Sequence, residues 1–197
     1  MEYNKLIETR RSNYALESKA VVKDEELVKE LEKVIKNAPT AFNSQATHII
    51  VALGKKHELV WDITHDTLEK IVPPERFKTT ASKLQMFKNG YGTILVFKDE
   101  KKIADLKKAF PGFANRQDGW GEQNIGILVY ALWLALYNLG YSGNIQHYDP
   151  LIDEKIKEEF KVPEDWKLET EMVFGKAKAE AGEKPFDDIN TRIQVAK

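Results

Sequence analysis

Cysteine is absent from the chain. That excludes disulfides, thiolate metal sites and a cysteine nucleophile, and it fits a reducing compartment. Neither sign of charge dominates: 30 basic against 31 acidic side chains leave a net charge of -1. A nucleic-acid or membrane surface is therefore not expected. The start, Met1-Glu2-Tyr3-Asn4-Lys5, lacks the basic residues and apolar core of a signal peptide, so a cytoplasmic protein is expected. No Gly-x-Gly-x-x-Gly follows a strand and no Gly-Lys-Ser/Thr loop is present, so a hydride enzyme of this sequence has no Rossmann domain. No Gly-x-Ser-x-Gly elbow supports a hydrolase. The four histidines, His48, His57, His65 and His147, have no carboxylate or histidine partner at ligand spacing, and no metal site is expected. His48, inside an apolar strand, is expected to be a hydrogen-bonded core residue. His57 and His65, eight residues apart on one helix, are expected to be exposed.

What is present is an ordinary globular composition, 42% apolar and 31% charged over 197 residues. That length suits one domain, 1–197, with a substantial core. Residues 2–9 form a short helix that delivers Arg10. Residues 23–37 form an amphipathic helix, with Asp24, Glu25 and Glu26 at its positive end and Leu27, Leu31, Val34 and Ile35 at helical spacing. Thr47 to Leu53 has the pattern of a strand buried on both faces. Helices follow at 55–71, 75–88 and 101–109, with a second strand from Gly92 to Phe97. Pro111 to Gly121 has loop composition. Gln123 to Leu139 is a helix apolar on all sides, which requires cover all round. Its apolar run is shorter than the roughly 20 residues that span a bilayer, so a subunit interface is the expected cover. A strand or turn at 141–145, a helix at 151–160, a strand at 168–174 and a Lys-rich tail at 175–197 complete an α+β chain without repeats or linkers.

Two short segments carry the chemistry. Arg10-Arg11-Ser12 offers two planar guanidinium forks and a hydroxyl, a donor set that suits phosphate. Asn43 and Gln45, within Pro39 to Gln45, offer flat amides that match the edge of a heteroaromatic ring. Each segment alone also reads as solvated charge or as a simple helix–strand turn. Together they suggest a phosphorylated planar cofactor. In Gly140 to Tyr148, Gly143 permits close backbone approach, by a ligand or within a tight turn.

With the tail that follows Phe174-Gly175, these segments resemble the FMN-dependent nitroreductases over essentially the whole length. The likeness is to the short-chain subgroup typified by yeast and bacterial stress-induced nitroreductase-like proteins. The resemblance implies a three-layer α/β/α fold with a mixed sheet and an intertwined homodimer, the tail crossing to the partner subunit. It implies FMN as cofactor, NADH or NADPH as reductant, and small planar acceptors such as nitroaromatics or quinones reduced by a ping-pong hydride mechanism. No catalytic side chain is implied, because the flavin carries the chemistry. Arg10, Arg11 and Ser12 are expected at the cofactor phosphate, with Lys184, rather than Lys178, helping from the tail. Asn43, Gln45, Gly143 and Asn144 are expected around the ring. Many relatives have Lys or Arg where this chain has Tyr14, beside the flavin pyrimidine edge. That departure admits a second reading, a flavin-binding stress or regulatory protein with little turnover. Phe42, Phe113 and Trp120 are the expected substrate contacts, ahead of Phe77 and Tyr148.

Overall fold

The structure is a computed structural model describing residues 2–197. Its sheet is built by five strands: β1 (Leu16–Glu17), β2 (Thr47–Leu53), β3 (Gly92–Asp99), β4 (Ser142–Gln146) and β5 (Trp166–Ala177). The order is β1-β5-β3-β2, with β4 also paired to β5. Seven helices surround it: α1 (Tyr3–Thr9), α2 (Asp24–Asn37), α3 (Lys55–Glu69), α4 (Pro74–Lys88), α5 (Glu100–Ala109), α6 (Gln117–Asn138) and α7 (Asp153–Phe160). One sheet face buries Leu95, Phe97 and Val173 against Trp61 of α3, Phe87 of α4 and Ile156 of α7. The other buries Ile94, Val96 and Met172 against Leu27 of α2 and Leu128 and Leu132 of α6. Alternate residues of β3 serve alternate faces, as strand geometry dictates, and the three-layer α/β/α arrangement follows.

All strand pairs are antiparallel. The mixed character expected of the sheet is confined to one parallel bridge, Ser12 to Gly143. After Ala177 the tail forms only a short turn at Ile189–Thr191, and within this chain it adds no strand. β2 matches its expected bounds, but residues 48–51 are only half-buried, because β2 lies at the sheet edge.

Two expectations are overturned. Residues 111–121 are not a loop: a tight turn at Pro111–Arg116 passes directly into α6. The glycine at 121 is tolerated in the helix because a Cβ there would press on Lys98 Cδ at 3.2 Å, so tertiary fit overrides propensity. Within the chain α6 keeps one side bare, the side for which a subunit interface was the expected cover: Ile127 and Tyr130 stay 44% and 42% exposed. Finally, His57 is buried. Eight residues at 100° each separate it from His65 by about 80° around the helix, enough to put the two on different faces. His57 Nδ1 lies 2.8 Å from Thr93 Oγ1 and Nε2 3.2 Å from the Lys88 carbonyl, and burial lowers its pKa. His48 is hydrogen-bonded as expected, 3.2 Å from Asp99 and stacked on Trp166, but it lies half-buried on the edge strand and not in the core.

Candidate functional site

α1 ends at Arg10, whose N–H donates to the Leu6 carbonyl at 3.0 Å. The Arg10 guanidinium lies 4.1 Å over the Trp133 ring of α6, a cation–π contact that fixes its plane. Its Nε is buried without a partner, as is Trp133 Nε1. Such orphaned buried donors are uncommon and call for an acceptor. Arg11 donates to the Gly182 carbonyl at 2.7 Å, while the Ser12 backbone bridges Gly143. The Ser12 side chain is exposed beside them.

Asn13, not singled out in the sequence, organises this corner. Its N–H donates to the Gly143 carbonyl at 2.9 Å, and its side chain donates to the Ala179 carbonyl at 2.7 Å. Asn144 is fully committed: Nδ2 donates to the Asn13 carbonyl and Oδ1 accepts from Gln146, both at 2.9 Å. Its side chain therefore braces the corner instead of facing a ligand. Gly143 is required because a Cβ would run into the Val173 carbonyl of β5. The close approach it permits is to the neighbouring strand.

The second segment lies at the far end of α6. Phe42, Asn43 and Gln45 have φ of 54°, 50° and 48°, left-handed values that cost non-glycine residues about 1–2 kcal/mol each. Phe42 stacks on Phe110 at 4.4 Å and leans on Phe113 at 6.2 Å and Trp120 at 5.7 Å. Phe110, the cap that follows α5, was not singled out in the sequence. Ala41 donates to Asn124 Oδ1 at 3.0 Å, and Lys102 donates to the Gln45 carbonyl at 2.9 Å. Asp99 caps α5 through the Lys102 N–H at 2.9 Å. Burial lowers the pKa of His48 next to it, against its hydrogen bond to the Asp99 carboxylate.

α6 joins the two segments. Asn124 and Trp133 are nine residues apart, about 14 Å along the axis. Between them an apolar groove of about 300 Å³ is lined by Ile125, Val129, Tyr130, Trp133 and Ile145. Phe42, Asn43 and Lys102 line a separate cavity of about 330 Å³. Within one chain the two segments therefore stand at opposite ends of one helix.

The remaining candidates are more dispersed. The Tyr14 ring is 44% exposed, and 6.2 Å from Phe87. Lys184 sits over the Phe186 ring at 4.8 Å. Lys178 lines a different cavity, with His57 and Lys88. Phe77 and Tyr148 pack against the core. One histidine does have carboxylates at ligand spacing: atoms of His65, Asp66 and Glu69 on α3 lie within 4.8 Å of one another, at the surface.

Sheet, helices and corner together have the three-layer architecture against which known proteins can be compared. The sequence profile of the nitroreductase family matches residues 7–176. A putative nitroreductase of Saccharomyces cerevisiae, HBN1, is 31% identical over 186 residues, 93% of this chain and 92% of its own length. The nitroreductase FRM2 of the same yeast is 29% identical over 162 residues, 82% of this chain and 79% of its own. The nitroreductase CinD of Lactococcus lactis, in complex with chloramphenicol, superposes with a TM-score of 0.91 at 36% identity, covering 100% of both chains. The chain belongs to the nitroreductase family. No helix among the described residues is long and apolar enough to cross a membrane.

Proposed function

We propose that this chain is an FMN-dependent NAD(P)H oxidoreductase that reduces nitroaromatics or quinones in a ping-pong cycle. The observation that carries the reading is the buried, unpartnered Arg10 Nε, held on Trp133 next to the Ser12–Gly143 bridge. A rigid guanidinium with a spare donor, an exposed hydroxyl beside it and a second arginine fit a phosphate. Bound FMN would supply the hydride chemistry. Arg10, Arg11 and Ser12 hold its phosphate, with Lys184 reaching in from the tail. Asn43 and Gln45 present amides to the ring edge, and the Gly143–Asn144 backbone backs the ring. Phe42, Phe113 and Trp120, tilted against one another, form an aromatic cluster that offers a ring face to a planar acceptor and excludes water. CinD in complex with 4-nitrophenol supports this acceptor class. No side chain is assigned as acid or base.

The whole chain is read as one domain, and the working unit as a cytoplasmic homodimer with no nucleic-acid or membrane partner. The bare side of α6 and the exposed tail residues Phe186, Ile189, Ile193 and Val195 support a partner copy. A partner also accounts for two half-sites at opposite ends of α6, since Asn43 and Gln45 then face the partner's cofactor while the tail from 175 crosses over.

Arg10→Ala tests the phosphate assignment. Loss of a charge-assisted contact costs about 1.5–3 kcal/mol, or one to two decades in FMN affinity. The variant should purify nearly colourless with an unchanged far-UV spectrum; FMN retained as tightly as in the parent defeats the assignment. A second reading, a flavin-binding stress or regulatory protein with little turnover, is favoured by Tyr14, which stands where a cation would stabilise reduced flavin. Steady-state NADH and NADPH oxidation with 4-nitrophenol separates the two: parallel double-reciprocal lines support the enzyme, and a flavin that neither nicotinamide bleaches supports the alternative.

A further inference from the structure

The turn that carries Asn43 and Gln45 does not hold its own shape. Its internal bonds, Asn43 N–H to the Thr40 carbonyl at 2.9 Å and Ser44 N–H to the Ala41 carbonyl at 3.1 Å, each span three residues. Bonds of that span form equally well in right-handed and left-handed turns. Gln45 N–H to Thr40 Oγ1, at 3.1 Å, is also local. Nothing in them selects the left-handed backbone seen at three non-glycine residues, and such strain persists only where the surroundings impose it.

Two contacts from distant elements bracket the strained residues. Just before Phe42, the Ala41 N–H donates to Oδ1 of Asn124, which is only 4% exposed on α6. At the other end, the Lys102 ammonium grips the Gln45 carbonyl. Asp99 caps the helix through the Lys102 N–H and so anchors the backbone from which the ammonium reaches. We infer that Asn124 and Lys102 are positioning residues that hold this turn left-handed and so set the direction of the Asn43 and Gln45 amides. The inference rests on the proposed role of those amides at the FMN ring edge.

The test uses the full-length protein with FMN as the probe. The FMN dissociation constant is read from flavin fluorescence, the ring environment from visible circular dichroism, and folding from the thermal midpoint. Lys102→Met and Asn124→Leu should each weaken FMN binding about three- to tenfold, no more than one neutral hydrogen bond is worth, because both act on the amides only through the turn. Both should move the flavin dichroism toward that of Asn43→Ala. Lys102→Arg and Asn124→Asp, which restore the donor and the acceptor, should return both readings toward the parent. If Asn124→Leu does not fold, the half-exposed Lys102 carries the test alone. Parental affinity and dichroism in Lys102→Met, alongside weakened Asn43→Ala, overturn the positioning role and leave the turn's proposed contact with FMN standing. Asn43→Ala and Gln45→Ala that both bind FMN as the parent does overturn that contact, and the positioning role with it.

Discussion

Glu169 and Glu171 stand two residues apart on β5, yet they live in opposite circumstances. Period-two alternation would place them on the same face of the sheet. It fails because β5 bulges: Val96 pairs with Thr170 and Phe97 with Leu168, leaving Glu169 as the extra residue. A bulge re-aims side chains. Glu169 turns toward α6, where its carboxylate meets Lys98 Nζ at 2.9 Å. Lys98 also meets Glu100 and Glu122. Burial alone would lower the Lys98 pKa, but its hydrogen bonds to Glu122 and Glu169 outweigh that and hold it above the ordinary value. Glu171 turns the other way, toward α7. It accepts the Tyr148 N–H at 3.0 Å, keeps one oxygen unpartnered, and faces Asp149 and Asp153. Burial pushes its pKa up to about 8, with Asp149 and Asp153 adding to the rise against the Tyr148 bond. Asp153 rises to about 6 for the same reason, burial first and Asp149 second. One extra residue in a strand thus decides whether a buried carboxylate meets a cation or faces other carboxylates.

Breaking the charged side should cost most. Lys98→Met leaves Glu169 buried with only Lys167 in reach, at 3.2 Å. Stranding a buried charge costs about 3–5 kcal/mol, and chemical denaturation should show it; a loss below about 1 kcal/mol would mean the ammonium is dispensable. The neutral side should show itself through pH. The native chain keeps a proton on Glu171 that the unfolded chain releases near 4.5. Its contribution is therefore fully present below that pH and is lost as pH rises to about 8. Between pH 5.5 and 8 the decline should reach at most about 3 kcal/mol, at 1.36 kcal/mol per unit and per proton. Glu171→Gln should flatten it; a slope unchanged in that variant places the titration elsewhere. The smallest effect belongs to Glu122→Gln. The Glu122 side chain is 54% exposed, so its loss should change stability by no more than about 0.5 kcal/mol. A larger change would mean the outer carboxylates, and not Glu169, hold Lys98.

Much of the scaffold was legible in the sequence, because periodicity is a local signal. The apolar spacing of Leu27, Leu31 and Val34 gave α2 nearly to its ends, and the run from Thr47 to Leu53 gave β2. What failed was set by distant partners. The start of α6 was hidden by Gly119 and Gly121; the place of Gly121 in a helix depends on the packing of Lys98 and Ile103. The two-residue β1 exists only because β5 passes beside it, and no feature of Leu168 to Glu171 announces the bulge. The candidate site divides in the same way. Arg10, Arg11 and Ser12 could be singled out by residue type. Their meeting with Gly143 could not, since 131 positions separate Ser12 from Gly143. Asn13 was passed over because its two long-range bonds leave no trace in neighbouring residues.

Arg11 and Asn13 grip the carbonyls of Gly182 and Ala179, so the chain leaves its folded body through the same corner that begins it. Any surface that captures the tail pulls on the backbone that aims Arg10 and Ser12. Thermodynamic linkage makes such coupling reciprocal: whatever free energy tail capture contributes to occupancy of the corner, occupancy returns to tail capture. Where the capturing surface is the proposed second copy, ligand affinity should vary with protein concentration, and the two are best measured as one equilibrium.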